Sequence, residues 1–169
     1  MDYEKASRFW LEQDAHAVKM KEEELKKEIK GFILSHSVCA LATASGSFVR
    51  NTPIEYNYYD GCFYLFSEGG LKFKALKDNK NVCLAIFDPE MSFAGLRSLQ
   101  VTGVAAIIEP YGEEYLKIAE RKKLPLEALK KLPNPLNLIR VTPTVYNLLE
   151  SSLKKRGYSS RQELVLKRE

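Results

Sequence analysis

The stretch of this chain best suited to chemistry is Ser67–Glu68–Gly69–Gly70–Leu71–Lys72. It follows an apolar run that reads as a strand and leads into Lys72–Asp78, which reads as a short helix. Paired glycines permit positive φ and let backbone N–H groups come close to a ligand. The start of a helix adds partial positive charge. Ser67 offers a hydroxyl, and Lys72, with Lys74 nearby, offers an ammonium. Together these groups suit a phosphate. The same residue types also fill many ordinary surface turns, and the stretch alone is compatible with either role.

Arg50 strengthens the phosphate reading. Asp60–Gly61 is the strongest hairpin signal in the chain. It makes the runs 48–59 and 62–66 antiparallel neighbours. With a two-residue turn, Tyr59 opposes Cys62, and the same count sets Ile54 against Ser67 and Arg50 against Leu71. A guanidinium and an ammonium then converge at one end of the hairpin, beside Thr52 and Pro53. Proline cannot donate to a ladder, so Pro53 is expected on an edge strand or at a bulge. A bulge there would shift the count.

No other catalytic constellation is visible. The two histidines, His16 and His36, lie outside the strand-rich region, and no metal site is expected. His36 reads as the end of a helix. Cys39, Cys62 and Cys83 are odd in number and have no C-x-x-C spacing, which argues against a disulfide framework. Each lies in an apolar run and reads as a small buried side chain. No nucleophile elbow, Walker loop or dinucleotide fingerprint occurs. No catalytic residue can be assigned, and a bound cofactor should carry any chemistry.

The elements that must position these groups follow from periodicity. Residues 3–18 and 21–34 read as helices, the second with Leu25, Ile29, Phe32 and Ile33 on one stripe. Strands are expected at 38–43, 48–59, 62–66, 82–87, 98–108 and 138–141. Gly103 suggests a bulge or a close backbone approach. Asp88–Gly95 reads as a loop, residues 111–123 and 126–132 as helices, and 147–156 is compatible with one. Short strands linked by hairpins over 37–109 argue for an antiparallel barrel rather than a doubly wound sheet.

Composition agrees. At 169 residues, 45% apolar and 28% charged, the chain fits one soluble domain. Nine Tyr and eight Phe favour strands. The expected domain spans 1–169: a helical extension over 1–36, a barrel over 37–146 and a basic tail over 147–169. Residues 151–169 carry six basic and two acidic side chains, which accounts for the whole net charge of +4. No basic stripe with interleaved aromatics occurs elsewhere, so nucleic acid is not an expected partner. Neither a signal peptide nor a run near ~20 apolar residues is present, and a cytoplasmic protein without a membrane anchor is expected.

Several blocks fall in the order seen in the pyridoxamine 5′-phosphate oxidase-like family of flavin-binding split β-barrels. They are Cys39–Thr43, Val49–Ile54, Tyr64–Lys72, Asn79–Val82 and Gln100–Ala105, with Ile139–Pro143 resembling the closing strand. The resemblance implies an α+β fold, mainly β with flanking helices, built on a six-stranded antiparallel split barrel. It implies FMN as cofactor and a homodimer with two flavin sites at the interface. Arg50 and Lys72 match the phosphate-binding positions, and Ser67 matches a polar turn residue. The backbone of Asn51, Thr52, Pro53 and Ile54 would run along the flavin ring. Ser98 and Gln100 match positions that approach flavin from the barrel. The chain also departs from the pattern. Leu71 replaces an arginine of the oxidase turn, Glu55 falls where a lysine is expected, and the C-terminal tryptophan and arginine signature is not evident. These departures count against pyridoxamine phosphate oxidation. The expected function is that of an FMN-dependent oxidoreductase of unknown substrate. The alternatives are a heme-binding or heme-degrading barrel, a non-catalytic flavin binder, or a deazaflavin protein.

Overall fold

The Asp60–Gly61 turn forms as the sequence predicts. Both residues take positive φ, 50° and 75°, the twist that joins two strands through a two-residue loop. In the computed structural model, which describes residues 1–90, 92 and 95–167, this hairpin joins β3 (Asn57–Tyr59) to β4 (Cys62–Ser67). The remaining strands are β1 (Val38–Ser45), β2 (Phe48–Glu55), β5 (Asn81–Phe87), β6 (Arg97–Ile108), β7 (Asn137–Glu150) and β8 (Arg161–Val165). The helices are α1 (Tyr3–Ala15), α2 (Glu22–Leu34), α3 (Lys72–Asp78), α4 (Glu113–Arg121) and α5 (Leu126–Leu129). The loop expected at 88–95 lies partly outside the described residues, as do Arg168 and Glu169 of the basic tail.

All pairings are antiparallel, in the order β2-β1-β5-β6-β7-β4-β3, with β8 beside β7. β2 and β3 are the two ends of that path, yet only Tyr56 separates them in the chain. The sheet must therefore curl until its ends approach. The mainly β, α+β split-barrel class is as expected, with eight strands among the described residues rather than six.

Tyr56 explains why the expected strand 48–59 is broken. Its ring is buried and packs edge-on against Phe63, with centroids 5.2 Å apart. Its hydroxyl donates to the Ile33 carbonyl at 2.7 Å, at the end of α2. An inward aromatic at this point bends the chain, so β2 leaves the hairpin and pairs with β1 instead. Tyr59 does oppose Cys62, but Arg50 opposes Thr43 rather than Leu71, and Ile54 opposes Cys39 rather than Ser67. Pro53 lies on an edge strand, where its missing N–H is harmless.

Alternation along the strands divides the sheet. Leu41, Leu84, Val101, Leu65 and Val141 face inward and are fully buried. Leu25, Ile29, Phe32 and Ile33 of α2 join that core, each contributing roughly 1.5–3 kcal/mol. A second cluster sets Tyr115 and Ile118 of α4 against Tyr64 and Leu138. The outer face carries small and polar side chains. One row runs Glu163, Asn147, Gln100, Ala85, Ala40, Pro53; the next runs Val165, Val145, Thr102, Cys83, Ala42, Asn51.

Gly103 sits at a register shift in β6, and a Cβ there would meet the Thr142 carbonyl oxygen at 2.7 Å. The glycine is required by close approach of β7. Residues 147–156 are helical only in part: 147–150 end β7, and Ser151–Arg156 form a 3-10 helix. The tail is used within the chain. Arg156 pairs with Glu24 and Glu28, and the Tyr158 hydroxyl donates to Glu24 at 3.0 Å. Among the described residues no helix is long and apolar enough to cross a membrane.

Candidate functional site

Where β2 parts from β4, a groove opens. It measures about 630 Å³ and is lined by Thr52, Pro53 and Ile54 on one side and by Phe66–Gly70 and Lys72 on the other. The inward bend at Tyr56 that spoils the simple hairpin count is what creates it. β2 is an edge strand, so alternate backbone N–H and C=O groups point away from β1 and can serve a flat ligand.

The turn after β4 forms the polar end. Gly69 and Gly70 take φ of 152° and 109°, which only glycine adopts without strain. The Ser67 hydroxyl donates to the Gly69 carbonyl at 3.0 Å and accepts from its N–H at 3.2 Å. Asn137 Nδ2 donates to the Ser67 carbonyl at 3.2 Å, tying the turn to β7. Periodicity alone does not mark Asn137, because its role depends on β7 pairing with β4. Lys72 is only 5% exposed, and its ammonium donates to the Gly69 carbonyl. α3 has seven residues, and Phe73 N and Lys74 N already donate to Gly70 and Leu71. The cations, not the helix end, are the feature suited to an anion.

Burial holds the Lys72 ammonium below its ordinary pKa, and the nearby positive charge of Arg50 adds to this. Arg50 shares the inward side of β2 with Thr52 and Ile54. Neither cation pairs with a carboxylate among the described residues. Two neighbouring cations that form no salt bridge among the described residues favour an anion that can reach both.

The remaining expected residues lie elsewhere. Asn51 faces the outer side, in the row of Ala42 and Cys83. Ser98 and Gln100 line a separate outer cavity with Asp14, Asn147 and Arg161. Arg161 belongs to β8, which the sequence reading places in the basic tail. The alternation Arg161–Gln162–Glu163–Leu164–Val165 is its signal, with Gln162 and Leu164 buried. Glu55 is salt-bridged to Lys122 at 2.7 Å, so this end of β2 presents an ion pair. His36 follows α2, as its reading as a helix end requires; its ring nitrogens lie 2.9 Å from the Phe32 carbonyl and 2.8 Å from Asp88. Cys39 is buried, and burial pushes its thiol up to about 12.

Known proteins share this architecture. A FAD-binding protein from Mesorhizobium loti superposes with a TM-score of 0.59 at 19% identity, covering 72% of this chain and 89% of its own. The heme storage protein HutZ from Vibrio cholerae gives 0.57 at 19%, covering 73% and 91%. A protein related to general stress protein 26, from Clostridium acetobutylicum, gives 0.63 at 13%, covering 87% and 97%. These likenesses concern the fold alone. No curated protein matches the chain in sequence. The family model described as pyridoxamine 5′-phosphate oxidase matches residues 25–149, a span that holds both walls of the groove together with Arg50 and Lys72, and the chain belongs to that family.

Proposed function

We propose that this protein binds FMN, with the phosphate between Lys72 and Arg50 and the ring along Thr52–Ile54, and that it works as a flavin-dependent oxidoreductase. The observation that carries this reading is the buried Lys72 ammonium beside Arg50 with no carboxylate partner among the described residues. The groove fits the cofactor chemically. It has the Lys72 ammonium and the Ser67 hydroxyl at one end and an open strand edge with Ile54 and Phe66 along its length. Bound flavin would supply transfer of hydride or electrons; the chain itself would bind and orient the ring. Leu71 and the engaged Glu55 leave this groove without the extra cations that a second, substrate-borne phosphate would need, so a substrate other than pyridoxamine phosphate is favoured.

The protein is further proposed to act as a homodimer through the outer sheet face. That face is lined by Ala40, Ala42, Ala85 and Cys83, small enough for close sheet packing, and flanked by exposed Val49 and Phe87. A two-fold axis lying between two stacked copies, along the strands above the β1–β5 seam, would set β6 of one copy over β2 of the other.

FMN titration tests the reading. Flavin fluorescence should change on binding, the melting temperature should rise, and light scattering should report a dimer. The reading fails if saturating FMN changes neither fluorescence nor melting. Heme is the second reading, since HutZ shares the fold. His36 has both nitrogens engaged, which leaves the exposed His16 as the histidine ligand. A Soret band lost in a His16→Ala/His36→Ala double variant, with no response to FMN, would replace flavin by heme.

A further inference from the structure

We infer that Trp10 on α1 covers the flavin held in the groove of a second copy, so that each site is completed in trans. The inference rests on the FMN reading and on pairing through the outer sheet face.

α1 is an unusual element of this chain because it buries none of its residues. Phe9 and Trp10 are 51% and 50% exposed and pack edge-on with centroids 5.1 Å apart. Thirteen residues with a side-chain N-cap from Asp2 gain little from their own fold. The helix is nevertheless held in place. The Arg161 guanidinium lies over the Trp10 ring at 4.4 Å, and Asp14 Oδ1 is 3.9 Å from Arg161 Nε. Asp14 and Arg161 border the outer cavity that also holds Ser98 and Gln100. Trp10 is thereby placed beside the Gln100 end of the sheet, away from the Arg50–Lys72 groove of its own chain.

Those two places cannot meet within one copy. Gln100 and Pro53 share a row but lie three strand spacings apart, about 14 Å. A two-fold axis above the β1–β5 seam brings Gln100 of one copy onto the partner's Pro53, and every contact is reciprocated. Trp10 then arrives at the partner's groove. Charge agrees with this placement. Asp2, Glu4, Glu12 and Asp14 outnumber Lys5 and Arg8 on the helix, whereas the groove lining carries Lys72 and Glu68, with the positive charge of Arg50 near Lys72. An exposed pair of aromatic rings is also the surface that a flat flavin would stack against.

Trp10 is the only tryptophan of the chain, which makes the test direct. An indole in contact with flavin quenches its emission by electron transfer. FMN bound to the wild type should therefore be dark, and FMN bound to W10F severalfold brighter. W10A should weaken FMN binding by about fivefold or more, the loss typical of a stacked ring. Both variants should fold, because α1 buries nothing. Differently tagged W10F and K72M chains are then co-expressed and the mixed dimer purified. With FMN held near the wild-type Kd, the weakened K72M groove stays largely empty; the filled groove belongs to the W10F chain and faces the other chain's Trp10, so the bound flavin should be dark. A bright mixed dimer would show that Trp10 serves its own groove and overturn the inference. Wild type that binds FMN while W10F is equally dark, or that binds FMN as a monomer, overturns the inference and leaves the FMN reading standing. Wild type that does not bind FMN overturns both.

Discussion

Replacing Lys72 by methionine separates a phosphate ligand from a structural lysine. In the unliganded protein two effects oppose. The variant loses the ammonium's hydrogen bond to the Gly69 carbonyl, a contribution of about 1 kcal/mol, and loses the desolvation cost of a charge that is only 5% exposed beside Arg50. Unliganded stability should therefore change by less than about 1 kcal/mol. FMN binding should suffer far more. A charge-assisted contact contributes about 1.5–3 kcal/mol, so Kd should rise by about 10- to 150-fold. FMN at 100 times the wild-type Kd should stabilise the wild type by about 2.7 kcal/mol, and a variant weakened about 30-fold by only about 0.9 kcal/mol. Urea unfolding with and without FMN measures both quantities. Riboflavin, which has the ring without the phosphate, is the control, and its affinity should not respond to K72M. The pH dependence has a definite sign. The folded pKa of Lys72 lies below its unfolded value, so between the two the unfolded chain holds more protons and stability rises with pH. That alkaline rise should be absent in K72M. The reasoning is refuted if K72M destabilises the unliganded protein by more than about 3 kcal/mol, the penalty of a broken buried network, while FMN affinity stays unchanged.

Two further outcomes are expected. A methyl added at Gly103 would sit 2.7 Å from the Thr142 carbonyl oxygen and push β7 from β6. G103A should therefore lose about 1–3 kcal/mol in urea unfolding, and unchanged stability would mean that the bulge relaxes freely. Cys39 should resist a thiol reagent at mildly alkaline pH in the folded protein and react only on unfolding, since burial holds its thiol up at about 12. Mass spectrometry of the labelled peptide reads this directly.

What local sequence determined here is whatever short-range physics decides. The stripe of Leu25, Ile29, Phe32 and Ile33 follows from helical period and is buried as such. Asp60–Gly61 makes a tight turn because the two residues tolerate positive φ. The Ser67–Lys72 turn and the edge position of Pro53 were legible because the backbones of Gly69, Gly70 and Pro53 restrict what they can do; the irregularity at Gly103 was legible because a glycine inside a strand marks a bulge or a close approach, here that of β7. The family's block order extended that reach to the barrel class. The partner of β2 was not legible. It depends on where the Tyr56 ring goes, and the pocket that receives it is built by Phe63 and the end of α2, far apart in sequence. β8 and the end of β7 escaped because a strand's pairing is satisfied by distant backbone, which leaves only a weak alternation in the sequence itself. Arg50, Ser67 and Lys72 could be picked out one by one from the sequence. That β2 and β4 part to make a groove between them, and that Ser98 and Gln100 lie on the other face of the sheet, only the folded structure decided, because both follow from long-range pairing.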